Sequence, residues 1–174
     1  MKQVIALEDG IAKVLKNDPW IFISSEADLI QHKTPENLIL PLKLWESMRA
    51  AEVSQGHELA LNGVWLSPDD DEELLTPWLN ALPLIALQFP SFRDGRAYTQ
   101  AYMLKTRLGW KGELRAVGDV LRDQLSHMRQ CGFNSFVIRE DKSVTDALKG
   151  LAGISVLYGR SAIEPRPLFR RRLV

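Results

Sequence analysis

Two runs in this chain crowd charged side chains around glycines: Phe89-Pro90-Ser91-Phe92-Arg93-Asp94-Gly95-Arg96 and Gly112-Glu113-Leu114-Arg115-Ala116-Val117-Gly118-Asp119. Each falls where an apolar strand pattern gives way to a helical one, which is where parallel α/β proteins hold their ligands. Asp94 reads as a helix N-cap, its carboxylate accepting from backbone N–H groups of the next turn. Arg96 follows in the first helical turn, where a cation opposes the helix dipole and needs a negative partner. That partner is Asp94, a carboxylate elsewhere or a bound anion. Glu113 and Arg115 alternate along a strand and leave it on one face. Asp119 reads as the next N-cap, with Arg122, Asp123 and Gln124 in the turn behind it.

These residue types point to a small-anion pocket. Arg93, Arg96, Arg115, Arg122 and Gln124 are the candidate binding groups, with guanidinium groups giving bidentate, charge-assisted contacts and helix N-termini adding backbone donors. Asp94, Glu113, Asp119 and Asp123 are the candidate acids and bases for any reaction there. The same charges would also serve as caps and structural ion pairs, an alternative the spacing leaves open.

Other reactive residues carry less. His127 lies in a helical pattern, with Asp123 and Cys131 four residues to either side, and no metal site is expected there. His32 and His57 fall in polar segments. Cys131 sits at a helix end and reads as a partly buried structural thiol; as the single cysteine it excludes an intramolecular disulfide or an all-Cys metal site. Trp20, Trp45, Trp65, Trp78 and Trp110 are scattered over several elements and suit packing better than base stacking. No G-x-G-x-x-G, G-x-x-x-x-G-K-[ST] or C-x-x-C run is present, which leaves any flavin or nicotinamide cofactor open.

The elements that must position these groups alternate strand and helix from residue 38 onward. Leu38–Leu40, Leu59–Leu66, Leu84–Phe89, Glu113–Val117, Phe133–Arg139 and Ile154–Tyr158 read as strands. Between them, Leu44, Trp45, Met48 and Ala51, then Ala97, Ala101, Leu104 and Leu108, then Leu121, Leu125 and Met128 mark helical faces. Leu74, Leu75, Trp78 and Leu79 mark another, which Pro77 shortens or kinks. Ser143 opens a last helix with Asp146 three residues on. Gly109 and Gly132 end helices. Ahead of this lies a β-rich extension, residues 1–35: Val4–Leu7 and Ile11–Leu15 flank Glu8-Asp9-Gly10 as a hairpin, with Gly10 at positive φ, and Trp20–Ile23 is a further short apolar run. The expected fold is α/β: a mostly parallel sheet of about six strands with βα repeats, either an open sheet or an incomplete βα barrel, preceded by a small N-terminal β-hairpin. Residues 161–174, with Pro165, Pro167 and Arg170–Arg172, are expected to form a surface tail.

At 174 residues the chain is most simply one domain, and it needs no disulfide or metal staple. Its net charge of zero argues against a general nucleic-acid or anionic-membrane partner. The N-terminal apolar run is too short for a signal peptide, and no stretch approaches the ~20 apolar residues of a membrane span. A cytoplasmic protein is expected.

Phe89–Arg96, Gly112-Glu113-Leu114-Arg115-Ala116, Gly118-Asp119-Val120-Leu121-Arg122-Asp123-Gln124-Leu125 and Gly132-Phe133-Asn134-Ser135-Phe136 together resemble a bacterial family of unknown function. Its members are described as oxidoreductases involved in sulfite reduction, encoded beside the sulfite reductase haemoprotein. The strong likeness spans Leu84–Phe136, and a weaker one runs from about Ile5 to Tyr158. The resemblance implies an accessory role in assimilatory sulfite and sulfate reduction, with that haemoprotein as a partner, and it brings no catalytic residues with it. A redox reaction needs a cofactor or a thiol pair, so the pathway is the firmer implication. Two other classes compete: a non-redox lyase or isomerase on a partial βα barrel, and a non-enzymatic binding partner of the reductase.

Overall fold

Leu84–Phe89 (β6) is apolar at nearly every position, as a strand covered on both faces must be, and the rest of the sheet is built out from it. The computed structural model describes residues 3–31, 37–55, 62–152 and 156–171. His32, His57, Leu59–Leu61, Ile154 and Arg172 lie outside the described residues. The strands are β1 (Gln3–Glu8), β2 (Ile11–Leu15), β3 (Ile21–Phe22), β4 (Leu38–Pro41), β5 (Gly63–Leu66), β6, β7 (Glu113–Gly118) and β8 (Ser135–Ile138). The main helices are α1 (Glu26–Gln31), α2 (Leu42–Gln55), α3 (Arg96–Thr106), α4 (Leu125–Cys131), α5 (Val144–Ala147) and α6 (Leu168–Arg171).

All eight strands form one curled, open sheet in the order β2-β1-β8-β7-β6-β5-β4-β3. From β3 to β8 each strand lies parallel to the next in the chain. Right-handed crossovers in such a monotonic order bring every helix to the same side. The core agrees. Ala97, Ala101 and Leu104 of α3, Leu125 and Met128 of α4 and Trp45 of α2 pack with Leu40, Val64, Ile85, Leu87, Phe89, Leu114, Ala116 and Phe136. The alternate strand residues form a second, helix-free cluster of Ile39, Leu84, Ala86 and Val117, with Trp20, Phe22, Trp65 and Val137 against it. The sheet is thus a half-barrel: helices outside, a concave face within.

The expected α/β class and hairpin are present, but among the described residues there are eight strands rather than about six. The hairpin turns at Asp9 and Gly10, both at positive φ, and β1 then joins the same sheet by pairing antiparallel with β8, Val4 opposite Val137. β1 therefore occupies the edge that a further parallel strand would have filled. Residues 156–158 accordingly carry no strand, and the short run at Ile21–Phe22 supplies the sixth parallel strand instead, at the far edge. The segment containing Pro77 is a 3-10 helix, Glu72–Trp78, capped by Asp71 through the Glu73 N–H. Gln100 of α3 donates to the Ser67 and Asp70 carbonyls at its approach (2.9 and 2.8 Å), holding α3 to the end of β5.

Candidate functional site

Strand alternation places Glu113, Arg115 and Val117 on the concave face, and Arg115 is the most deeply buried charge there, its side chain 2% exposed. Its Nη1 and Nη2 donate to the two oxygens of Asp18 (2.7 and 3.0 Å), a fork-to-fork pair. Nη2 and Nε also donate to Glu113 Oε1 (2.8 and 3.0 Å), and Nε to Ser135 Oγ (3.1 Å). Asp18, itself buried, comes from the link between β2 and β3, far from the junctions the sequence singles out. Two buried ions lose several kcal/mol of hydration each, about enough to cancel their attraction unless the geometry is this complete.

The other candidates fall into separate groups. At the corner between β6 and α3, Gly95 is the capping residue of α3, while Asp94 accepts from the Arg96 N–H (3.1 Å) and from its guanidinium (2.8 Å). Arg96 also reaches Asp69 beyond β5 (2.5 Å). These hydrogen bonds hold the Asp94 carboxyl below the usual range and push the guanidinium up. Asp119 does not cap the following helix. It accepts from the Phe92 N–H (2.8 Å) and from Arg139 (2.7 Å), tying the corner after β7 to the one after β6. Arg139 also grips Asp141, whose carboxyl it holds down to about 2. The 3-10 turn Arg122–Gln124 starts later, where Gln124 accepts from the Leu121 N–H (2.9 Å). Arg122 pairs with Asp146 in solvent (3.1 Å), and Asp123 is exposed. Arg93 is exposed and makes no hydrogen bond or ion pair among the described residues.

Asp94 is thus brought to Arg96, and Glu113 to Arg115, but the two pairs share no partner. What does converge is a cavity of about 250 Å³ on the concave face, lined by Phe22, Ile39, Val117 and Val137 with Gln88, Arg115, Gly118 and Glu140. It opens toward the C-terminal ends of β6, β7 and β8, the usual ligand side of a parallel sheet. Phe22 stacks on Trp65 behind it (5.3 Å between rings). The side chains of Gln88 and Glu140 make no hydrogen bond or ion pair among the described residues. Sequence reasoning missed both, as well as Asp18, Arg139 and Asp141. Gln88 carried a signal: it is the one polar residue in the apolar strand Leu84–Phe89.

Elsewhere, burial lowers the Lys105 amine to about 8 while its Nζ donates to the Gly112 carbonyl (2.9 Å). Burial also raises the Cys131 thiol to about 11, away from thiolate reactivity. Among the described residues there is no cluster of three or more His, Cys, Asp or Glu side chains placed to hold a metal, and no helix long and apolar enough to cross a membrane.

A comparison with curated proteins finds no match. A family model does match, over residues 63–169, which include α3, α4 and strands β5 to β8. The chain therefore belongs to DUF934, a family of bacterial proteins of unknown function.

Proposed function

We propose that this protein is an accessory of bacterial sulfite reduction that holds a small organic molecule on the concave face of its half-barrel. The cavity beside Arg115 carries the binding part of this reading: apolar walls, a floor fixed by the Asp18–Arg115–Glu113 cluster, and two uncommitted polar groups, Gln88 and Glu140. Binding sites of small molecules have this make-up, a mostly apolar hollow with a few placed polar groups. The sequence likeness of Phe89–Arg96 and Gly118–Leu125 supports the pathway. A deletion strain should grow poorly on sulfate and normally on cysteine, with wild-type protein restoring growth. Val117→Trp, which fills the cavity, should not restore it. Normal growth of the deletion strain on sulfate would remove the pathway reading, and full rescue by a folded Val117→Trp protein would remove the cavity.

One observation favours a second reading, a small anion at the corner between β6 and α3. Arg93 there has no partner among the described residues, while Arg96 beside it is already neutralised by Asp94 and Asp69. Sulfite or sulfate affinity that falls in Arg93→Ala would support it.

A further inference from the structure

The charges around the concave cavity say more about its occupant than its walls do. Arg115 commits four of its five N–H groups to Asp18, Glu113 and Ser135. Little donor capacity remains for a ligand, and the charge is already exceeded by its two carboxylate partners. Glu140 adds a third carboxylate at the wall. Arg139, next to Glu140 in the chain, is engaged by Asp119 and Asp141. An anion entering here would meet the Glu140 carboxylate and a guanidinium whose charge Asp18 and Glu113 behind it already outweigh, in a partly desolvated hollow where repulsion is strengthened. A cation would meet the reverse.

We infer that the concave cavity selects an organic amine or a neutral hydrogen-bonding compound with an aromatic or branched apolar body. Glu140 accepts from the ammonium or hydroxyl end, Gln88 bonds beside it, and Phe22, Ile39, Val117 and Val137 enclose the body. This rests on the reading of the cavity as a ligand site. Glu140 is exposed, so replacing it leaves the core untouched.

Three probes of matched shape separate the alternatives: 2-phenylethylamine, 2-phenylethanol and 3-phenylpropanoate. Each is titrated into the full chain while the methyl signals of Ile39, Val117 and Val137 are followed by NMR. The amine and the alcohol should shift these signals, with the amine binding about tenfold tighter than the propanoate. Glu140→Gln should bring the amine to the level of the alcohol. A propanoate that binds as tightly as the amine, or an amine affinity unchanged in Glu140→Gln, would overturn the charge selectivity while leaving the cavity as a site. Unmoved methyl signals with all three at millimolar concentration would overturn the site itself.

Discussion

Arg115 and Asp18 are 97 residues apart in the chain, yet they form a two-bonded ion pair beneath the concave face, with bonds of 2.7 and 3.0 Å. The pair fixes the link between β2 and β3 against the middle of the sheet. It also sets the floor on which the cavity rests.

Breaking that pair from one side leaves a buried guanidinium with Glu113 as its one remaining carboxylate partner. Asp18→Asn should lower stability by about 3 kcal/mol, the scale on which uncompensated buried charges are penalised. The combined change Asp18→Asn with Arg115→Met should recover part of the loss, because it leaves no unpaired guanidinium. Urea denaturation of both variants measures this, and a single variant within experimental error of wild type would contradict it.

Gly118 has φ of +96°, and a Cβ there would run into the Phe89 carbonyl of the neighbouring strand. That carbonyl accepts from the Asp119 N–H (2.8 Å), so it cannot move aside freely. Gly118→Ala should cost about 1–3 kcal/mol and should loosen the contact between Asp119 and Phe92. Thermal unfolding reads the first effect, and the amide signal of Phe92 the second.

Lys105 gives a pH signature of definite sign. Its amine is lowered from 10.5 to about 8 by burial, so between those values the unfolded chain holds a proton that the folded chain has released. Stability contributed by this group therefore rises as pH climbs from about 8 to 10.5. Lys105→Met should flatten that part of the profile, as read by urea titrations at pH 7.5, 9 and 10.5. An identical slope in the variant would show that the amine titrates normally.

The sequence reading was most accurate where periodicity is strict. Ala97, Ala101 and Leu104 face the core of α3 as their spacing requires, and Gly10 and Gly132 take the positive φ their positions demand. It failed where an outcome depends on distant partners. Whether Ile21–Phe22 or the segment ending at Tyr158 becomes the sixth parallel strand is decided by β1 occupying the edge of β8, a pairing between residues at least 129 positions apart. Asp119 looked like a cap because local spacing cannot reveal the Phe92 amide or the Arg139 guanidinium folded against it. Glu140 gave no pattern at all, since an exposed acid in a turn is ordinary until the cavity beside it is seen.

The antiparallel pairing of β1 with β8 bears on how a fold of this kind could grow. A closed βα ring requires its first and last parallel strands to meet, and here the hairpin bars that junction like a doorstop. Gene duplication or insertion could lengthen the parallel part of the sheet only beyond β3, so any descendant enlarged at that end would keep an unclosed trough.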